Sequence, residues 1–124
     1  MKEKCIFCHP AREIIIEGES CFAIYDKFSV SKGHMLIIPY RHEPDYFQLS
    51  QKEKSALWLL VDEVKSFLDK KYKPDEYNAG FNLGQAAGQT VSHVHIHVIP
   101  RYEGDMKRPE GGVRHVVAGR GYYR

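Results

Sequence analysis

Between Ser92 and Arg101 the chain reads SHVHIHVIPR, three histidines at every second position with an aliphatic residue in each gap. Side chains alternate across a strand, so this pattern predicts a strand over residues 92–100. His93, His95 and His97 then lie on one face, and Val94, Ile96 and Val98 on the other. Same-face residues of a strand stand roughly 6.7 Å apart. The aliphatic face is expected to meet the core, leaving the histidines to line a cleft. Such a face serves one of three ends: histidines satisfied within the structure, ligands to a catalytic metal, or metal-free imidazoles acting as nucleophile and phosphate ligands.

The rest of the chain places that strand in an α+β domain. The segment EIIIEGESCFAIYD reads as two short strands, Glu13 to Glu17 and Cys21 to Asp26, joined by a tight turn at Gly18. HMLIIP is a third strand, closed by Pro39, and YRHEPDYFQL is loop with a turn of helix. Ser50 followed by Glu53 forms a capping-box signature. Leu57, Leu60, Val61, Val64, Phe67 and Leu68 then recur at helical spacing, predicting one long helix from about residue 51 to about 70. Its end is marked by KKYKP, where lysines suit the helix dipole and Pro74 forbids continuation. Trp58 and Leu59 fall off the apolar stripe, marking either a dimer face or packing within the monomer. AGFNLG reads as a strand, GQAAGQ as a glycine-bearing connector, and Val113 to Ala118 as a last strand. Strands that follow one another without long crossovers predict an antiparallel sheet of about five strands with one long helix and a shorter helical segment.

With 124 residues, a single domain spanning 1–124 is expected, of which 101–124 form a carboxy-terminal extension. Lys and Arg number 18 against 16 Asp and Glu, and they are scattered. No basic stripe suits a nucleic-acid polymer, so a nucleotide-sized anion is the more natural partner. No apolar run approaches the roughly 18 residues of a membrane span, and MKEKCIFCHPARE lacks the apolar region of a signal peptide, so a cytoplasmic location is expected. In that reducing compartment Cys5, Cys8 and Cys21 stay unpaired, and the close pair Cys5 and Cys8 asks for a metal or redox reading. CIFCH carries the haem-attachment spacing, but c-type haem is attached after export. A redox CxxC needs a helix start after its first cysteine, and none is signalled. Zinc fits best, and its closed site needs two further ligands from among His9, His34, His42, His93 and His115.

Upstream of the histidines, NLGQAAGQTVSH supplies Asn82, two glycines, Gln89, Thr90 and Ser92, an array of backbone N–H groups and neutral donors suited to an anion. It is no Walker loop, because no Gly-Lys-Ser/Thr follows the glycines. Connector and histidine strand together resemble the histidine triad (HIT) family, whose signature is His-φ-His-φ-His-φ-φ with φ apolar. The likeness extends through AIYDKFSVSKGHMLIIPYRH to the amino-terminal CIFC.

That resemblance implies a hydrolase or transferase acting at the α-phosphate of nucleotide derivatives, with an AMP-containing purine nucleotide as substrate. It implies His95 as the nucleophile forming a covalent nucleotidyl-imidazole intermediate. His97 would bind the α-phosphate, Asn82, Gln89 and Thr90 would hold phosphate or leaving group, and Asp26 would bond the ribose hydroxyls. It also implies a structural zinc on Cys5, Cys8, His42 and His93, and a homodimer. VIPRY after the triad looks more like the dinucleoside polyphosphate hydrolase branch than the phosphoramidase branch. Base preference would follow from apolar contacts around Ile24. His34 is read as supporting the active-site strand or bonding backbone. Two competing classes remain open at this level: a zinc hydrolase with His93, His95 and His97 as ligands, and a non-enzymatic nucleotide-binding or signalling module.

Overall fold

A computed structural model describes residues 4–123. Five strands form one antiparallel sheet: β1 (Ile16–Glu17), β2 (Cys21–Tyr25), β3 (Met35–Pro39), β4 (Glu76–Gly80) and β5 (Ile96–Arg101). Their spatial order is β1-β2-β3-β5-β4. One long helix, α1 (Gln51–Tyr72), connects β3 to β4, and 3-10 turns occur at Tyr46–Gln48, Gln85–Ala87 and Gly112–Val116. Among the described residues no helix is long and apolar enough to cross a membrane.

The helix begins where its capping chemistry dictates. The Ser50 hydroxyl accepts from the Glu53 N–H, and the Glu53 carboxylate accepts from the Ser50 N–H. Leu57, Leu60, Val64 and Leu68 are buried along one stripe, which packs across β2, β3 and β5. The helix stops at Lys73, held left-handed at φ 51° immediately before Pro74. Gly33, at φ 91°, lies so close to the Tyr72 ring that a Cβ there would sit 2.8 Å from it.

Alternation along the strands divides the core in two. Cys21, Ala23, Met35, Ile37, Ile96 and Val98 face α1 and join its stripe. Phe22, Ile24, Leu36 and Ile38 point to the opposite face, where Phe7 of the amino-terminal arm packs on them. Each buried Val, Leu, Ile, Phe or Met side chain among these contributes about 1.5–3 kcal/mol by leaving water.

Four expected strands are corrected, the first only in length, since β1 covers Ile16–Glu17 of the expected Glu13 to Glu17. The histidine strand was expected over 92–100, but ladder pairing begins at Ile96, with Ile96 opposite Ile37, and runs to Arg101. Continued, the register would set Pro39, which has no N–H to donate, opposite Val94; the Val94 N–H donates to the Glu43 carbonyl instead, and the Pro39 carbonyl accepts from the His93 imidazole. His93 and His95 therefore precede the strand, although Val94 still turns into the core. The AGFNLG strand lies earlier, over Glu76–Gly80, because its pairing ends at Gly80 opposite His97, near where β5 begins. The expected strand Val113 to Ala118 is instead a 3-10 turn over Gly112–Val116. Gly111 at φ 95° and Gly112 at φ 45° bend the chain out of extended geometry, and Val113, Val116 and Val117 stay exposed without a partner strand.

Candidate active site and metal site

The three triad histidines share a neighbourhood but serve three partners. His93 is wholly buried, and its Nε2 lies 2.8 Å from the Pro39 carbonyl. A carbonyl only accepts, so Nε2 carries the proton and Nδ1 keeps its lone pair. That lone pair faces the Sγ atoms of Cys5 at 3.4 Å and Cys8 at 3.6 Å, and the Cys8 sulfur lies 3.1 Å from Nδ1 of His42. The four ligand atoms of Cys5, Cys8, His42 and His93 all lie within 4.8 Å of one another. Zinc bonds of about 2.3 Å to sulfur and 2.0–2.1 Å to nitrogen separate tetrahedral ligands by roughly 3.5 Å. These two thiols and two imidazoles, with the His93 tautomer already set by Pro39, fit a closed zinc site.

His95 points its Nδ1 at the His93 carbonyl, 2.9 Å away. By the same argument Nδ1 is protonated and Nε2 is left with a free lone pair. Burial lowers its pKa below the ordinary histidine value, against the opposing effects of its bond to the His93 carbonyl and of Asp26. A neutral imidazole with one nitrogen clamped and the other open is the form a nucleophile requires.

His97 lies on β5, its Nδ1 2.9 Å from Nε2 of His34. His34 accepts the Val30 N–H on Nδ1 at 3.1 Å, so neutral His34 donates from Nε2. Its proton points to His97 and also to Asp26, whose Oδ2 lies 3.3 Å away. Neutral His97 consequently carries its own proton on Nε2. Burial lowers the His97 pKa to about 4, assisted by His95 and His34 and opposed by Asp26. Burial likewise lowers that of His34, again opposed by Asp26. Asp26 is further fixed by the Phe28 N–H on Oδ1 at 2.8 Å, and its Oδ2 lies 3.8 Å from Nδ1 of His97. His34 is thus both a backbone partner, as expected, and the link between Asp26 and His97.

The polar connector is distributed over two hollows. Asn82 shares a cavity of about 330 Å³ with His97 and His34, walled by Val30, Ile99, Val113 and Val116. Thr90 lines a separate hollow of about 260 Å³ beside Cys5, His42 and Ser92. Gln89 commits its amide to the backbone: Oε1 accepts from the Gly84 N–H, and Nε2 donates to the carbonyls of Pro44 and Val91. Ile24 is wholly buried beneath Phe7, so the base contacts expected around it would have to come from other side chains. The reading of His93, His95 and His97 as ligands of one metal finds no matching geometry among the described residues. His93 belongs to the cysteine group, His97 to a group with Asp26 and His34, and His95 to neither.

Phe7 escaped the sequence reading. It stands between the two cysteines of CIFC, is buried, and sets its ring edgewise against His95 at 4.9 Å between centroids. Its position inside the cysteine pair was the available signal, but only the folded arm shows what the ring touches.

An antiparallel sheet backed by one long helix, with its histidine cluster beside a Cys2His2 group, defines a class of small α+β domain. The chain belongs to the HIT domain family, whose pattern it matches over residues 10–104. Among its relatives, a HIT-like protein of Methanocaldococcus jannaschii is 38% identical over 109 residues, covering 82% of this chain and 81% of that protein. A bis(5'-adenosyl)-triphosphatase of Dictyostelium discoideum is 36% identical over 77% of this chain and 64% of its own. An adenylylsulfatase of Arabidopsis thaliana is 35% identical over 85% of this chain and 56% of its own. Among solved structures, a HIT family protein from Bacillus anthracis superposes with a TM-score of 0.77 at 34% identity, covering 83% of this chain and 77% of that one. A zinc-bound histidine triad family protein from Mycobacterium smegmatis also gives 0.77, at 29% identity over 85% and 80% of the two chains.

Proposed function

We propose that this protein is a nucleotidyl hydrolase or transferase that cleaves AMP-containing nucleotide derivatives at the α-phosphate through a nucleotidyl-His95 intermediate. The observation that carries the reading is the 2.9 Å bond from His95 Nδ1 to the His93 carbonyl, which leaves Nε2 as the free nitrogen. The names of the Dictyostelium and Arabidopsis relatives support an adenosine nucleotide as substrate.

In this scheme Nε2 of His95 attacks the α-phosphorus, a P–N bond forms, and the bond to the leaving group breaks. A polyphosphate oxygen departs with the electron pair as an anion, or a nitrogen takes a proton from solvent to leave as amine. The imidazole becomes cationic, and the His93 carbonyl stabilises it through Nδ1–H. His97 donates its Nε2–H to a non-bridging α-phosphate oxygen, its other nitrogen held by His34. Preorganised donors of this kind usually supply the largest share of phosphoryl-transfer catalysis. Asn82, in the His97 cavity, bonds phosphate or leaving group, and Thr90, which lines the separate hollow beside His42, would have to reach the leaving group from the connector. Gln89 contributes by holding the connector's backbone in place. Asp26, with His34 drawn toward it, takes the ribose hydroxyls. Water then attacks phosphorus and gives up a proton to solvent, the P–N bond breaks with its electron pair returning to Nε2, and the nucleoside monophosphate leaves with neutral His95 restored.

Cys5, Cys8, His42 and His93 would hold zinc, which supplies a structural tie between the amino-terminal arm and the histidine segment. The protein acts as a homodimer in this reading, supported by the exposed Trp58 and Leu59 on α1. A cytoplasmic location belongs to this reading, because Cys5 and Cys8 serve as zinc ligands rather than as a disulfide, which suits a reducing compartment.

The test is AMP release by purified protein from diadenosine tetraphosphate and from an AMP-amine phosphoramidate, side by side, with His95→Ala as control. Turnover of at least one substrate that disappears in the variant is expected, and the faster substrate names the leaving-group class. A folded protein that turns over neither would overturn the assignment for these substrates. AMP binding that survives His95→Ala would then identify a binding module.

A further inference from the structure

The hydrogen bond to the His93 carbonyl fixes one corner of the His95 ring but leaves the imidazole free to tilt about it. A second contact on the ring's flank is needed to hold Nε2 on one line of approach. One flank faces His97, with centroids 5.2 Å apart and planes at 64°. Phe7 makes a second ring contact, with centroids 4.9 Å apart at 66°, an edge-to-face geometry.

Phe7 is itself well anchored. It is 3% exposed, whereas its neighbour Ile6 is 55% exposed, so the arm turns this one ring inward. It packs with Phe22, Ile24, Leu36 and Ile38 and also meets His93 edgewise at 6.0 Å. The His9 N–H donates to the Cys5 carbonyl, closing the turn that carries the ring. The group of Cys5, Cys8, His42 and His93 therefore governs two supports of His95: the carbonyl that accepts its proton and the ring that flanks it.

We propose that Phe7 is a positioning residue for His95, holding the imidazole in its attacking orientation without touching the reacting atoms. The proposal rests on the reading of His95 as nucleophile. It gives the cysteine pair a purpose that metal binding alone does not, since the residue between the ligands is what reaches the catalytic segment.

The experiment compares zinc-loaded wild type, Phe7→Leu and Phe7→Ala by zinc stoichiometry, by kcat and KM for AMP release from the two substrates above, and by ¹⁵N NMR of the His95 ring without substrate. The expected result is stoichiometric zinc in Phe7→Leu and KM within about twofold of wild type. Expected too is kcat lower by roughly tenfold to a hundredfold, the scale of a misplacement approaching 1 Å. The NMR signature of a single Nδ1–H tautomer should weaken, more in Phe7→Ala than in Phe7→Leu. Unchanged kcat and tautomer in both variants would overturn the proposal. A raised KM at unchanged kcat would also overturn it, showing that the ring contacts substrate. Loss of zinc from both variants would assign Phe7 to building the metal turn instead. A wild type that releases no AMP would count against the nucleophile reading, while the tautomer measurement still decides whether Phe7 holds the ring.

Discussion

The two faces of the sheet bury comparable aliphatic side chains and are covered by different means. On one face a regular helix lays Leu57, Leu60, Val64 and Leu68 over the strands. On the other, Phe22, Ile24, Leu36 and Ile38 are covered by the amino-terminal arm, which the four-ligand group pins through His42 and His93. The first face is held by many interchangeable contacts, and the second by a few specific bonds. This difference predicts that substitutions under the helix change stability alone, while those on the arm face change stability and chemistry together.

The largest effect should come from the arm. Cys8→Ser removes one of four ligands and is expected to abolish stoichiometric zinc and lower Tm by on the order of 10 °C, with helical content retained at low temperature. Metal analysis and thermal melts followed by circular dichroism check this. A variant keeping both metal and Tm would break the contrast between the faces. Leu60→Ala, which empties a fully buried position under the helix, should cost about 2–5 kcal/mol by denaturant unfolding while kcat stays at the wild-type value. A change in kcat there would show that the two faces are not separable.

Protonation sharpens the comparison, since the titrating histidines sit on the arm face. His97 has its folded pKa lowered to about 4 from 6.5, so below pH 6.5 the unfolded chain takes up a proton that the folded one refuses. Stability from this residue is therefore complete above pH 6.5 and lost as pH falls toward 4, by at most about 3 kcal/mol. Unfolding across that window should show a slope that shrinks by about one proton in His97→Gln. An unchanged slope would contradict the burial argument. Since burial also lowers the pKa of His95, the acid limb of kcat/KM should fall below pH 6.5. The smallest effect should be Ser50→Ala, which removes the helix cap at a cost of about 1 kcal/mol with activity untouched.

How much was legible in the sequence follows the same division. The helix face is written in local periodicity, so α1, its capping box and the inward set Val94, Ile96 and Val98 could be read from spacing alone. The metal group emerged from the CIFC pair only with the help of family resemblance, because His42 and His93 come from distant parts of the chain. The start of the histidine strand, and the 3-10 turn that replaces a strand over Val113 to Ala118, are not legible in spacing. A proline in the neighbouring strand and two left-handed glycines decided them, and side-chain alternation does not encode either effect. Phe7 and the full role of His34 were invisible because each acts through a ring that only the fold brings near.

The central claim is that the free nitrogen of His95 becomes covalently nucleotidylated, and rapid quenching tests it most directly. Wild-type protein mixed with whichever substrate it turns over, quenched under alkaline conditions within one turnover and mapped by peptide mass spectrometry, should carry one nucleotidyl group on His95. His95→Ala should carry none. Steady turnover with no adduct at any quench time, or an adduct on a different residue, would contradict the account.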